Sequence, residues 1–199
     1  MYPLFESIRI ENGVIFLIEY HQKRMDKSFN IFYKKINPWN LKRIALSQKI
    51  PLFGLYKLRI KYSDFDFKSE IIAYKKKKIE TLKCVEVNDY KYPLKLCDRK
   101  SIIAFYKMRL DCDDILMIKD GLLTDTSYCN IILFNGNNWV TPESPIFEGV
   151  QRQKLLNHNK IIKSKISVAD IKNFKKFKLI NAMIKFEDFV SRSVFDIIL

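Results

Sequence analysis

The sequence predicts an α/β (α+β) protein of two lobes. The first is mainly antiparallel sheet with helices, the second is rich in strands, and they meet near residue 90. Three observations carry this. Residues 4–10 alternate apolar and polar and run into Asn12-Gly13, the strongest short hairpin signal. Between 19 and 32, Tyr20, Met25, Phe29 and Phe32 recur at helical intervals, with Gln22, Lys23, Asp26 and Lys27 on the other side. Residues 115–118 and 131–134 are short apolar runs bounded by turn residues, the pattern of buried strands.

Taken in order, residues 14–18 form the second strand of the opening hairpin, and 19–32 the first helix. Asn37-Pro38 breaks that helix and caps a second over 39–49. Residues 55–62 alternate as a strand, Asp64-Phe65-Asp66 turns, and 68–74 returns. The four lysines at 75–78 are the solvated end of that strand. Residues 88–93 show no helical period and hold Asn-Asp, two Tyr and a Pro, which suits a linker between lobes 1–90 and 91–199. A helix is expected over 101–108, a strand at 139–140 after Asn135-Gly136, a helix over 150–157 behind Gly149, a short helix at 168–171 and a strand over 178–182.

The chain of 199 residues carries a formal net charge of +14. A basic surface suits nucleic acid. Here, however, the lysines are spread along the chain and outnumber the arginines, whereas base and phosphate readers favour the arginine fork. The charge is better suited to drawing in a small anion. The sequence contains no run of about 18 apolar residues, so no membrane-spanning helix is expected. Residues 1–6 hold no basic or long apolar region, so they are not expected to be a secretory signal; the scattered cysteines, expected to be reduced, suit a cytoplasmic setting. Cys84, Cys97, Cys112 and Cys129 form no C-x-x-C pair, and with only His21 and His158 beside them no metal site is expected.

Three local features bear on chemistry, each with a plainer alternative. Lys95 lies in Tyr92-Pro93-Leu94-Lys95-Leu96-Cys97, an apolar setting that favours a neutral, nucleophilic amine; it could equally be a surface lysine. Asp125 lies in Thr124-Asp125-Thr126-Ser127, read as a turn before a buried strand. It could hold a proton on a heterocyclic nitrogen, or simply serve as a turn residue. Gly149-Val150-Gln151 opens a helix whose first amides could hold a phosphate, with Arg24 as a fixed cation. Gly149 could equally mark only a helix start.

Order and spacing make these features specific. Leu4-Phe5-Glu6-Ser7-Ile8-Arg9-Ile10 with Asn12-Gly13, His21-x-x-Arg24-Met25, Lys95-x-x-Asp98-Arg99, Gly121 to Phe134, Thr141-Pro142 and Gly149-Val150-Gln151-Arg152 together resemble the class IV aminotransferase family. These are the fold-type IV pyridoxal-phosphate enzymes, of the D-amino-acid aminotransferase-like fold. The likeness runs from about residue 4 to 183 and is nearest to short 4-amino-4-deoxychorismate lyase-like members. It implies pyridoxal 5′-phosphate as cofactor and Lys95 as the catalytic lysine bonded to its aldehyde. Asp125 would pair with the ring nitrogen. Arg24, Val150 and Gln151 would hold the phosphate, with Asn181 and Ala182 lining the phosphate or carboxylate side. Ser127 and Asn130 would shape the turn beneath the ring.

Two residues depart from the family pattern. Asp125 stands where Glu is usual, and Gln151 replaces a threonine. The short chain and the Lys-x-x-Asp-Arg spelling favour a lyase that releases pyruvate and 4-aminobenzoate for folate synthesis. The alternatives are amino transfer on branched-chain or D-amino acids and, from another class, a basic binding protein on a degenerate enzyme fold. The resemblance also implies a homodimer and a small anionic, amino-acid-like substrate.

Overall fold

The computed structural model describes residues 2–188 and 190–199. They fold as two compact units. One comprises the residues up to Lys76 together with Leu94–Asp98, the other Lys77–Pro93 together with Arg99–Leu199. Residues 88–93 therefore belong to the second unit, while the segment carrying Lys95 returns to the first.

The first unit is a four-stranded antiparallel sheet carrying two helices. Strand β1 (Leu4–Glu11) pairs with the short β2 (Val14–Ile15) and, over its whole length, with β3 (Leu55–Tyr62), while β4 (Phe67–Ala73) completes the order β2-β1-β3-β4. Period-two alternation places Leu4, Ile8, Ile10, Leu58, Ile60 and Tyr62 in one buried cluster. Against it pack Met25 and Phe29 of α1 (Ile18–Tyr33) and Leu41, Ile44 and Ala45 of α2 (Leu41–Leu46). The expected second strand over 14–18 is cut short because Leu17 adopts φ 58°, which turns the chain directly into α1. The second helix is shorter than expected. Asn40 accepts a hydrogen bond from the Arg43 N–H at 2.9 Å and so starts α2 after Trp39, whose indole donates to Ser63 O instead. Leu94 and Leu96 join this core, and Leu96 bridges to Leu4.

The second unit is built on one sheet in the order β10-β9-β8-β7-β6-β5-β13, with β11 also on β8 and β12 on β11. Strand β5 (Leu82–Glu86), to which the sequence reading assigned nothing, runs parallel to β6 (Asp114–Lys119). Helix α3 (Lys100–Lys107) lies between them in the chain, near where the periodicity predicts it. Asp120 and Gly121, both at positive φ, turn β6 into β7 (Leu122–Thr126), and β8 (Asn130–Phe134) and β9 (Trp139–Pro142) follow antiparallel. Helix α4 (Val150–Asn157) leads to β10 (Ile162–Ser164), β11 (Lys176–Ile180), β12 (Arg192–Ser193) and β13 (Ile197–Ile198). Strand β8 explains its continuous apolar run by being covered on both faces. Ile131 and Leu133 enter one cluster with Leu116, Ile118 and Phe177, and Ile132 enters another with Leu155 of α4. Among the described residues no helix is long and apolar enough to cross a membrane.

Leu133 is fully buried in this sheet, so Leu133→Ala is expected to destabilise the protein by about 2–5 kcal/mol through lost burial and a residual cavity. Ile36, 93% exposed, should tolerate the same change with a shift within roughly ±0.5 kcal/mol. Urea midpoints of the two variants check the contrast; equal shifts would contradict the packing described.

Candidate active site

Asp125 lies on strand β7 rather than in the turn that its neighbours suggested, and it pairs across the ladder with Asn130. Thr126 Oγ1 accepts from the Cys129 N–H at 3.1 Å, so the turn begins one residue later. The Asp125 carboxylate is buried and its nearest donors are neutral. Asn130 Nδ2 donates to Oδ1 at 2.5 Å and the Phe147 N–H to Oδ2 at 2.8 Å. Burial pushes its pKa up to about 7, and the Phe147 N–H, the Asn130 amide and the Arg152 charge oppose this only in part.

Asn130 holds the next piece in place. Its amide also donates to Phe147 O at 2.9 Å, and its Oδ1 accepts from the Gly149 N–H at 3.2 Å. Two acceptors beside Nδ2 and one donor beside Oδ1 fix the orientation of the amide. A Cβ on residue 149 would fall 2.1 Å from Asn130 Oδ1, so only glycine fits there. Gly149 is the N-cap of α4 with no side-chain cap, and the helical ladder starts with Gln153 N–H to Gly149 O. The Val150 and Gln151 amides therefore lie in the first turn, ahead of that ladder, where helix geometry presents N–H groups to an anion. Arg152 is buried behind them and donates to Thr141 Oγ1 at 3.2 Å and to Pro142 O at 2.8 Å, tying α4 to the end of β9.

The turn carrying Ser127 is held from two sides. Arg99 donates to Ser127 O at 2.8 Å, and Asn181 Nδ2 reaches Cys129 Sγ at 3.1 Å. Asn181 and Ala182 follow the last residue of β11 instead of closing the strand, and Asn181 Oδ1 accepts from the Met183 N–H at 2.8 Å. The second unit thus gathers Asp125, Ser127, Asn130, Val150, Gln151, Asn181 and Ala182 around two adjoining turns and one helix start.

Arg24 and Lys95 belong to the first unit. Arg24 on α1 donates through Nε at 2.9 Å and Nη2 at 2.5 Å to the two oxygens of Glu6 on β1. Glu6 is 0% exposed, and His21 Nδ1 lies 2.6 Å from the same carboxylate. Burial alone would raise the Glu6 pKa, but Arg24 and His21 outweigh it and hold the group at about 2. Burial also lowers the pKa of His21, so its ring is neutral and Nδ1–H donates to Glu6. Lys95 is half-buried; its backbone carbonyl accepts from the Phe5 N–H at 3.1 Å, and its Nζ lies 4.8 Å from the centroid of the Phe5 ring.

The sequence reading did not anticipate Phe147, which acts through its backbone N–H and so leaves no signal in residue type. It also gave no role to Thr141, Arg152 or Glu6. Charge offered a clue for the last two, since a charged residue within an apolar pattern implies a buried partner.

Comparison with known proteins finds chains similar to this one. The amino-transferase class IV family model matches residues 74–187. An uncharacterized protein of Haemophilus influenzae is 39% identical over 186 residues, covering 92% of this chain and 98% of the relative. The crystal structure of a Haemophilus somnus protein, proposed to be a 4-amino-4-deoxychorismate lyase, superposes with a TM-score of 0.90 at 37% identity, covering 94% of this chain and 98% of that one. A hypothetical aminotransferase from Mycobacterium tuberculosis, in its PLP-bound form, shares the fold at a TM-score of 0.68 and 13% identity, covering 92% of this chain and 78% of that one.

Asp125 holds its proton more tightly in the folded protein than in the unfolded chain. Ionising it therefore lowers stability as pH rises from about 4, its ordinary value, to about 7. Asp125→Asn carries a pH-independent offset but lacks this slope. Without added ligand, wild-type protein should lose stability relative to the variant between pH 5 and pH 8 in urea titrations. Parallel pH profiles would show that Asp125 ionises normally.

Proposed function

The chain belongs to the amino-transferase class IV family, and from that premise we propose that it is a pyridoxal 5′-phosphate-dependent 4-amino-4-deoxychorismate lyase, releasing pyruvate and 4-aminobenzoate. The observation that carries the lyase reading is the likeness, over nearly the full length of both chains, to the Haemophilus somnus protein proposed to have that activity.

The donor set suits the cofactor. A protonated pyridine nitrogen needs a carboxylate, and Asp125 is a buried one whose raised pKa a neighbouring cation would bring down. Asp is a methylene shorter than Glu, and the short contacts from Asn130 and the Phe147 N–H hold its carboxylate in one orientation. A phosphate needs amides and a guanidinium; by the family resemblance, Val150 and Gln151 would supply the former and Arg24 the latter. Replacing threonine by Gln151 removes a hydroxyl but keeps the backbone donor. The glycine-only contact of Gly149 with Asn130 joins the ring-side acid to the helix start that would receive the phosphate.

Bound there, the cofactor would supply an electron sink for negative charge arising beside the substrate's amino group. The Lys95 amine would remove the proton from the carbon bearing that amino group and afterwards return a proton, a dual role that the tunable pKa of lysine permits. Asp125 would keep the ring nitrogen protonated throughout. The carbon–oxygen bond to the enolpyruvyl group breaks, the six-membered ring becomes aromatic, and the departing enolpyruvate gains a proton to become pyruvate. No oxidant or reductant is consumed. The net charge of +14 favours capture of the anionic substrate. We further propose a cytoplasmic setting, which the scattered cysteines suit, and, by the family resemblance, a homodimer.

Amino transfer would use the same groups, so the assay must separate the two reactions. Incubation with 4-amino-4-deoxychorismate and cofactor, with no 2-oxo acid present, should release 4-aminobenzoate; an absolute requirement for the oxo acid would reject the lyase. Borohydride reduction followed by digestion should place the pyridoxyl group on Lys95, and Lys95→Ala should yield no labelled peptide. A label on any other lysine would overturn the assignment.

A further inference from the structure

We infer that Glu6 is a positioning residue that fixes the Arg24 guanidinium for a phosphate monoester, and thereby makes this chain prefer the phosphorylated cofactor to its dephosphorylated form, pyridoxal. The inference rests on the cofactor reading above and extends it to a residue that contacts neither the phosphate nor the ring.

Glu6 occupies an unusual place for a carboxylate. It stands on the helix-facing side of β1, in register with Leu4, Ile8 and Ile10, and is completely buried. A buried ion pair is a weak source of stability, and a well-packed apolar group would often serve the fold as well or better. What the pair does provide is geometry. Both Glu6 oxygens face one edge of the guanidinium, Nε at 2.9 Å and Nη2 at 2.5 Å, the parallel fork that sets both plane and direction. The Arg24 side chain, 12% exposed, is thus held with its Nε edge toward Glu6.

His21 fixes Glu6 in turn. Its Nδ1–H lies 2.6 Å from Glu6 Oε2, and His21 and Arg24 sit one turn apart on α1. The ring is buried, and among the described residues its Nε2 has no hydrogen-bond partner, so its polar contact is made on the Nδ1 side. The Arg24 charge is offset at contact distance by the Glu6 carboxylate. The pair's contribution to phosphate binding is therefore direction, not attraction. An unheld arginine would lose rotamer freedom on meeting a phosphate; this one has already lost it.

That balance makes the test two-sided. Removing the Glu6 charge raises the local positive potential, so electrostatics alone predicts tighter phosphate binding from Glu6→Gln, whereas positioning predicts weaker. Full-length wild type, Glu6→Gln and Glu6→Asp are titrated with pyridoxal 5′-phosphate and with pyridoxal, following the absorbance of the lysine-bound aldehyde, with thermal melts to confirm folding. The expected result is a loss of affinity for the phosphorylated form of about tenfold or more in both variants, with pyridoxal changed by less than about twofold. Glu6→Asp keeps the charge but withdraws the fork, so it must fall with Glu6→Gln. It also carries the test should Glu6→Gln fail to fold. Equal losses for both ligands would make Glu6 merely structural, and unchanged or tighter phosphate binding would overturn the inference outright; both results leave the cofactor reading intact. Wild type that binds neither ligand would instead remove the cofactor reading, and this inference with it.

Discussion

The second unit is organised around a carboxylate that, among the described residues, is buried without a charged group in direct contact. Asp125 has given up water for one side-chain amide and one backbone N–H, both neutral. An ionised acid in that setting carries a large desolvation cost, which is why its proton affinity rises so far. The surroundings are arranged to sustain it. Asn130 spends every polar atom of its side chain on Asp125, Phe147 and Gly149. Gly149 must lack a side chain for Asn130 to reach it, and the same glycine starts α4. One buried acid thereby determines where a strand ends, how the following loop returns and where a helix begins.

The first unit buries an acid to the opposite effect. Glu6 is as completely enclosed as Asp125, yet its pKa falls to about 2, because a guanidinium and an imidazole N–H replace the lost water. Equal burial with different partners gives one carboxylate that stays charged at any physiological pH and another balanced near neutrality. A group tuned to neutrality is responsive to a ligand's charge, while a group held far from it acts as a fixed support. The two acids fit those two descriptions.

Around both sites the fold uses ordinary means. Helices cover one face of the four-stranded sheet, and the long sheet buries β8 on both sides. Two polar features of the second unit are satisfied in groups: Arg152 by Thr141 and Pro142, the Ser127 turn by Arg99 and Asn181. Such networks define geometry more than they add stability, since a partly satisfied buried group costs more than an apolar one.

Much of this was legible in residue order. Alternation and Asn12-Gly13 marked the opening hairpin, helical spacing marked α1, and the spaced Lys95, Asp125 and Gly149 segments pointed to one family and its cofactor. These are local signals, set by a period of two or of 3.6 and by turn chemistry that few residues satisfy. Strand β5 escaped notice because its five residues have meaning only beside β6, and Asp125 passed for a turn residue because Thr, Asp and Ser favour turns until a ladder partner overrides them. Burial of Glu6, the Phe147 N–H on Asp125 and the passage of residues 94–98 back to the first core depend on groups far apart in the chain. Local sequence carries periodicity and residue type. Proton affinity and direction belong to distant partners brought within hydrogen-bonding reach, and only the tertiary structure decides which those are.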